Sequence, residues 1–177
     1  MAIRKIVENG DEILRKKAKL VENVDEKIKV LVEDMIETLH TYNGVGLAAN
    51  QVGILKRIVV IDVYDGTGPI VLINPEIVKE KGEQTVDEGC LSFPNQFAKV
   101  VRPQKVTVKA LDENGKERKI TGEDLLAQAF SHELDHLDGV LFIDKMIPGT
   151  LEYVTPEDLQ AAQGEEEAKK AKKKKKK

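Results

Sequence analysis

The chain is poor in cysteine and histidine: its 177 residues include one Cys and three His. A single cysteine cannot form a disulfide bond within the chain, which is typical of proteins in the reducing cytoplasm. No apolar run reaches the roughly 18 residues that indicate a membrane span. The N-terminal segment lacks a continuous apolar stretch and mixes acidic with basic residues, so we expect neither a signal peptide nor a transit peptide. These absences predict a cytoplasmic protein with no membrane partner.

Charge is distributed unevenly along the chain. Residues 165–177 hold three Glu and eight Lys and carry +5, and since the whole chain carries −3, residues 1–164 carry −8. An acidic body does not indicate a nucleic-acid-binding domain, so any affinity for phosphate would reside in the tail. We predict one catalytic domain over residues 1–150, a C-terminal extension over residues 151–164, and a disordered, low-complexity tail over residues 165–177.

Local patterns predict the main elements of the first part of the chain. Apolar residues recur at helical spacing from Asp25, the expected N-cap, to Tyr42. The segment "PIVLINPEIV" is typical of a strand interrupted by Pro75. Two alternating runs joined around Asn114-Gly115 predict a β-hairpin.

A second helix is predicted over residues 122–138. We expect Thr121 to be its N-cap, with Asp124 as the partner in a capping box. Gly139 lies where a left-handed residue commonly ends a helix.

This second helix carries a possible metal-binding pair in "HELDH", residues 132–136. His132 and His136 lie one turn apart on one face, with Cβ atoms about 5–6 Å apart, so two imidazoles can converge on one ion. Glu133 is rotated away from them and can handle protons beside a metal without binding it. The alternative is an ordinary helix that carries two histidines.

A catalytic metal of this kind needs a third protein ligand and an open position for water. The long metalloprotease pattern that adds a third His is excluded, because the required position is Phe142. Glu152 and Glu157 are the acidic candidates downstream. Cys90 is the other candidate: a lone cysteine is commonly a small buried apolar residue, but Cys90 follows two acids and a glycine, and thiolate is a good ligand for Zn²⁺ or Fe²⁺.

Three stretches in this order resemble the signature motifs of the peptide deformylase family: "GVGLAANQ" (residues 44–51), "EGCLS" (residues 88–92) and "HELDH". The resemblance extends to about residue 150 and is closest to the shorter bacterial form. It implies a single-domain α+β fold, with mostly antiparallel sheets packed around the central HExxH-bearing helix. It also implies removal of the formyl group from the N-formylmethionine that begins new polypeptides.

The resemblance assigns roles to individual residues. It implies that Cys90, His132 and His136 bind one divalent metal, natively Fe²⁺, with Zn²⁺ or Ni²⁺ as replacements. The metal makes hydroxide available near neutral pH, and hydroxide attacks the formyl carbon. Glu133 takes the proton of the water and passes it to the departing amine.

Other residues are expected around the reacting group. By family analogy, the Gln51 side chain and the Leu91 N–H stabilise the oxyanion. Gly46 lets the substrate backbone pair with its own. Three further residues are expected to line a slot for the methionine side chain, although the second of them could equally belong to the core: Val45, Leu125 and Ala129.

Three further predictions concern support and partners. Glu88 and Arg102 are expected to form an ion pair that braces the Cys90 loop. The Lys-rich tail either contacts the ribosome or only keeps the protein in solution. We expect a monomer that acts on N-formylmethionyl nascent peptides.

Two other functions are open at this point. A zinc endopeptidase would use Glu152 or Glu157 as the third ligand and leave Cys90 free. A structural metal module would need four protein ligands, and His40 is the one remaining histidine.

Overall fold

The computed structural model describes residues 1–174, which form four α-helices, eight β-strands and two 3-10 turns. In chain order these are a 3-10 turn (Glu12–Arg15), α1 (Glu26–Thr41), β1 (Gly46–Ala48), a 3-10 turn (Ala49–Val52), β2 (Ile58–Ile61), β3 (Ile70–Lys81), β4 (Gln84–Cys90), β5 (Phe93–Arg102), β6 (Lys105–Leu111), β7 (Glu117–Glu123), α2 (Leu125–Leu137), α3 (Phe142–Lys145), β8 (Glu152–Tyr153) and α4 (Pro156–Lys174).

The strands form two antiparallel sheets. The first has the order β1-β2-β3-β6-β7 and the second the order β4-β5-β8. Helix α2 contacts four strands of the first sheet and β5 of the second. The expected α+β fold class with antiparallel sheets is confirmed.

The five-stranded sheet is covered on both faces, and β2 shows why. All four of its residues are buried. Ile58 and Val60 pack into the cluster that contains the apolar face of α1. Val59 and Ile61 pack into the cluster that contains α2. Because successive side chains of a strand point to opposite faces, a continuous apolar strand is what a sheet between two helices requires.

Helix α1 begins and ends close to the predicted positions. The Asp25 side chain accepts a hydrogen bond from the Ile28 N–H at the N-terminus. After the last turn, Asn43 adopts a positive φ of 52°, and Gly44 follows. The predicted hairpin is also present, with β6 and β7 joined through a turn in which Gly115 has a φ of 78°.

Strand β3 differs from its prediction, because Pro75 does not interrupt it. The strand continues through Pro75 to Lys81, and its register with β6 shifts between Ile73 and Glu76. A proline has no N–H to give to a ladder, and an irregular pairing is where a strand tolerates one. The preceding Asn74 accepts from the Val21 N–H and donates to the Val21 carbonyl, which ties the irregular part of β3 to the N-terminal segment.

The predicted start of α2 is wrong. Thr121 is not an N-cap: it lies in β7 opposite Thr107, and the two hydroxyls are 2.8 Å apart. The helix begins at Leu125 after Asp124, which has a φ of 53° and no side-chain capping bond. Pairing with β6 as far as Glu123 thus prevails over the local capping pattern.

The end of α2 agrees with its prediction. Gly139 has a φ of 72°. Its N–H donates to the His136 carbonyl, and the Val140 N–H donates to the Asp135 carbonyl, which is the paired arrangement of a Schellman motif. This closes the helix directly after its second histidine.

The C-terminal segment also differs from its prediction. Residues 165–174 continue α4 rather than being disordered, and residues 175–177 lie outside the described part of the chain. Thr155 and Asp158 exchange hydrogen bonds at the start of α4, and its Ala, Glu and Lys residues favour helix. No residue of α4 is buried, so the helix forms without joining the core.

Within residues 1–174, no helix is both long enough and apolar enough to cross a membrane.

Candidate metal centre

The two histidines of α2 and the single cysteine converge. His132 and His136 are both buried, with ring centroids 4.9 Å apart. Cys90, the last residue of β4, places its Sγ 3.3 Å from His136 Nε2. One potential ligand atom from each of the three residues lies within 4.8 Å of the other two. In the part of the chain that the structure describes, no other group of three or more His, Cys, Asp or Glu side chains is arranged to hold a metal ion.

Cys90 reaches this position through an irregularity at the end of β4. The register with β5 shifts between Gly89 and Cys90, so that Gly89 lies opposite Phe97 and Cys90 opposite Phe93. The Phe97 ring covers Gly89 so closely that a Cβ there would lie 2.6 Å from Phe97 Cε1. A glycine before the cysteine is therefore a packing requirement of this strand pair.

Glu88 and Arg102 are paired behind the histidines. Arg102 Nε donates to Glu88 Oε2 over 2.9 Å, and each side chain is 2% exposed. Arg102 also donates to Asp135 of α2 over 2.7 Å. Burial raises the pKa of Glu88, but the hydrogen bonds from His132 and Arg102 outweigh it and bring that pKa to about 2.

The Glu88 carboxylate determines which nitrogen of His132 is free. Glu88 Oε1 is hydrogen-bonded to His132 Nδ1. Because an ionised carboxylate only accepts, Nδ1 must carry the proton, and Nε2 is left with a lone pair. On His136 it is Nε2 that faces the Cys90 sulfur. Both imidazoles can therefore present Nε2 to one ion.

The charges around the histidines favour a cation. Burial lowers the pKa of His132, but Glu133, Cys90 and Glu88 raise it well above the ordinary value. Burial and the charge of His132 lower the pKa of His136 well below the ordinary value, which is the neutral form that binds metals. One imidazole thus attracts a proton because the site holds an excess of negative charge, and a divalent cation would neutralise that excess.

Glu133 lies beside His132. It is 4% exposed, its Oε1 is 3.9 Å from His132 Nε2, and its Oε2 has no hydrogen-bond partner among the described residues. Burial raises its pKa to about 7. A carboxylate with such a pKa can both take and release a proton near neutrality.

Gly46 lies against Glu133. A Cβ on Gly46 would contact Glu133 Oε1 and would lie 2.7 Å from Glu133 Cδ. The sequence predicts a role for this glycine in substrate pairing, and the structure adds a second reason for it. Gly46 also begins β1, whose one partner is β2, so the other edge of β1 is free of strands within residues 1–174.

Gln51 is fixed by contacts at both ends of its amide. Its Oε1 accepts from the Ala48 N–H over 2.9 Å. Its Nε2 donates to Ser92 Oγ over 3.1 Å and lies 3.4 Å from Cys90 Sγ. The donor is thereby directed at Ser92 and Cys90, and Gln51 is 1% exposed. Leu91 follows Cys90, and its side chain packs against the cluster that contains α1.

The residues expected around a methionine side chain are divided in the structure. Val45 and Ala129 belong to one apolar cluster. Leu125 is 45% exposed at the start of α2, and it lines an open surface groove together with Val63, Lys105 and Leu126. The structure therefore brings two of the three predicted residues into one cluster and leaves Leu125 outside it.

Three polar residues near the centre were not predicted, and two of them, Asn50 and Ser92, are buried. Asn50 donates to the His136 carbonyl over 2.7 Å, Ser92 accepts from Gln51, and Asp135 binds Arg102. Asn50 and Ser92 lie within the first and second quoted motifs, which is a signal that could have identified them. Nothing in the sequence alone links Asp135 to Arg102.

The alternative ligands lie elsewhere. Glu152 is in β8 and Glu157 is in α4, and both are exposed. His40 Nε2 is 2.9 Å from Asp62 Oδ2. None of these three side chains joins the group formed by Cys90 and the two histidines.

A buried cluster of one cysteine and two histidines, with a glutamate of raised pKa beside it, defines a metal-dependent hydrolase. The comparison with protein families is more specific. Residues 3–151 match the model described as "Polypeptide deformylase". The chain belongs to the peptide deformylase family, and the zinc endopeptidase alternative is wrong.

Individual relatives agree with this assignment. "Peptide deformylase 1" of Clostridium perfringens is 58% identical over 144 residues, which are 81% of this chain and 98% of the relative. The crystal structure of a peptide deformylase from Legionella pneumophila is 46% identical, with a TM-score of 0.80, and covers 97% of this chain and 98% of that one. A "Met-ala-ser bound" peptide deformylase from Acinetobacter baumannii is 29% identical, with a TM-score of 0.78, over 82% of this chain and 99% of that one.

Proposed function

We propose that this deformylase acts on N-formylmethionyl peptides in the cytoplasm through a divalent metal held by Cys90, His132 and His136. The observation that carries the proposal is the convergence of these three side chains beside Glu133. The Acinetobacter relative is named with a bound peptide that begins with methionine, which supports a substrate of this class.

The ligand set suggests which metal is resident. A thiolate and two imidazoles suit Fe²⁺ and Zn²⁺, and we propose Fe²⁺ as the native ion, with Zn²⁺ or Ni²⁺ as replacements. When bound, the cation would act as a Lewis acid and would lower the pKa of a water molecule. Thiol titration with and without a chelator tests the ligand set, because Cys90 should react only after the metal is removed.

Glu133 is proposed to move the proton. Its pKa of about 7 allows it to accept a proton from the attacking water and to release it again. The released proton goes to the amine nitrogen as the formyl C–N bond breaks, so that the products are formate and a free N-terminal amine. The Oε2 atom of Glu133, which has no hydrogen-bond partner among the described residues, is available for this exchange.

Two donors are proposed to stabilise the oxyanion that forms on the formyl oxygen. These are the Gln51 side-chain amide, which lies 3.4 Å from Cys90 Sγ, and the backbone N–H of Leu91, which follows Cys90 in sequence. Removal of one such donor typically lowers turnover about 10²–10³-fold. The hydrogen bond from Gln51 to Ser92 supports this proposal, because it holds the amide in place before substrate arrives.

The peptide is proposed to bind along β1. The free edge of β1 begins at Gly46, where an extended backbone could add as a further strand. Val45 and Ala129 supply apolar surface near this edge. Leu125, at the exposed start of α2, remains a proposed third contact for the methionine side chain.

A direct assay separates this function from peptide-bond hydrolysis. Protein purified without oxygen would be analysed for metal and incubated with N-formyl-Met-Ala-Ser and with the same peptide lacking the formyl group. We expect formate and Met-Ala-Ser from the first peptide and no cleavage of the second. Cleavage within either peptide, with the formyl group retained, would overturn the proposal.

The Lys-rich end of α4 is proposed to contact the ribosome, where the substrate emerges. Eight of the last nine residues are Lys, and α4 presents its described part on an exposed helix. Co-sedimentation with ribosomes across a salt series would compare the full chain with a version ending at Gly164. Steeply salt-dependent binding of the full chain alone supports the contact, and equal binding of the two forms leaves the tail as a solubilising segment.

A further inference from the structure

The turn that leads into β1 is held by a hydrogen-bond network that includes none of the three proposed metal ligands. Asp62 directly follows β2 and is 6% exposed. Its Oδ1 accepts from the Tyr64 N–H over 2.8 Å, and its Oδ2 is 2.9 Å from His40 Nε2 at the end of α1. A buried carboxylate with partners on two elements fixes those elements relative to each other.

The same network holds the two carbonyls that precede Gly46. The Tyr64 hydroxyl donates to the Gly44 carbonyl over 2.9 Å. The Asp62 N–H donates to the Val45 carbonyl over 2.8 Å. Tyr64 has a φ of 56°, a backbone conformation that residues other than glycine rarely adopt. The bond from its N–H to Asp62 keeps it in that conformation, with its hydroxyl over the turn.

We propose that Asp62 and Tyr64 are positioning residues that set the place of the free β1 edge for a peptide substrate. The inference rests on the proposed binding of substrate along β1. In a strand, hydrogen-bonding groups repeat at about 3.3 Å per residue, so a shift of the Gly44 or Val45 carbonyl displaces the first groups that a peptide would meet. Neither residue touches the metal ligands, so this role is separate from that of Glu133.

The network predicts a specific kinetic signature. Gly46 is paired with Ile61 of β2 and not with Tyr64, so we expect Glu133 to keep its neighbour and turnover to be preserved when the Tyr64 hydroxyl is removed. The loss falls on contacts with the peptide backbone beyond methionine. N-formylmethionine amide has no residue beyond methionine, so its KM should be unchanged.

The test compares Tyr64→Phe with Tyr42→Phe. Tyr42 is the C-cap of α1, two residues before Gly44, and its side chain is exposed. For N-formyl-Met-Ala-Ser we expect KM to rise about 3–10-fold in Tyr64→Phe, as loss of one hydrogen bond implies, with kcat changed less than about twofold. N-formylmethionine amide should be processed alike by both variants and the wild type. Binding of the product Met-Ala-Ser, measured by calorimetry, should weaken by the same factor as KM rises.

Asp62 gives a second, graded test. Asp62→Ala removes the acceptor for the Tyr64 N–H and should raise KM for the tripeptide at least as much as Tyr64→Phe does. Asp62→Asn keeps an acceptor oxygen and should recover most of that loss.

Two results would overturn the inference: Tyr64→Phe matching Tyr42→Phe on the tripeptide, or an equal fall in kcat for both substrates, which indicates general weakening of the fold. A wild-type protein that processes neither formylated substrate would instead refute the proposed function.

Discussion

Gly46→Ala is the substitution whose consequence the structure defines most sharply. The added Cβ would lie 2.7 Å from Glu133 Cδ and would also contact Glu133 Oε1. Ordinary contacts of a Cβ begin at 3.4 Å, so the Glu133 side chain must retreat by at least 0.7 Å. Cβ–Cδ contact cannot be relieved by rotating the carboxylate alone, since Glu133 Cγ is also 2.7 Å away.

A displacement of this size has a large expected effect on turnover. Misplacement of a catalytic group by about 1 Å can lower the rate about 10²-fold. We therefore expect kcat of Gly46→Ala to fall by about that factor for formylated peptides, while the metal content is unchanged because Glu133 is not among the ligands. If Gly46 served substrate pairing alone, the loss would appear in KM instead.

The assay is steady-state deformylation with metal analysis and a thermal melt on each variant. Gly164→Ala is the matched control, because nothing lies within 4 Å of a Cβ at that position. A second variant, Glu133→Ala, removes the Cγ, Cδ and Oε1 atoms that receive the clash. Adding Gly46→Ala to Glu133→Ala should cost much less further activity than adding it to the wild type.

Two outcomes would refute the reasoning. One is a Gly46→Ala enzyme with wild-type kcat and raised KM, which would return the glycine to substrate pairing alone. The other is loss of metal together with activity, which would mean that the substitution disrupts the whole centre and does not merely displace Glu133.

Three further predictions are independent of Gly46. Glu133→Ala should keep its metal and lose about 10²–10⁴-fold in kcat, and a loss below tenfold with the metal intact would show that the residue is misassigned. Arg102→Ala leaves Glu88 charged and buried, so urea unfolding should show a loss of about 3–5 kcal/mol. Burial raises the pKa of Asp34, but hydrogen bonds, including that from Arg4, lower it below 3.8. The stability from this group is therefore present above pH 3.8 and lost as the pH falls through the lowered pKa, and acid melts of Asp34→Asn should show a weaker dependence there.

The sequence predicted elements well where local chemistry decides them. The Asp25 cap of α1, the hairpin at Asn114-Gly115 and the Gly139 end of α2 depend on residues within one or two turns of each other. The start of α2 was wrong because Thr121 pairs across the sheet with Thr107, a partner 14 residues away. A capping pattern competes with strand pairing, and the sequence does not show which pairing is available.

The tail shows a different limit. Residues 165–174 have nothing to bury, which the sequence indicated correctly, but the absence of burial was taken as absence of structure. The Thr155–Asp158 cap and the run of strong helix formers favour a helix there, although none of its residues is buried. Helix propensity and burial contribute separately to helix formation, and in most segments both are present.

The three motifs predicted the residues of the candidate metal centre, but they did not show how the motifs pack against one another. Gly44, in the first motif, leaves room for Leu91 of the second: a Cβ on Gly44 would lie 2.7 Å from Leu91 Cδ1. Gly46, in the same motif, leaves room for Glu133 of the third. Each glycine therefore matches the size of a side chain more than 40 residues away. The first motif thus supplies space, and the other two supply the side chains that fill it. A bulky substitution at Gly44 should therefore displace Leu91, and one at Gly46 should displace Glu133, before either affects the fold.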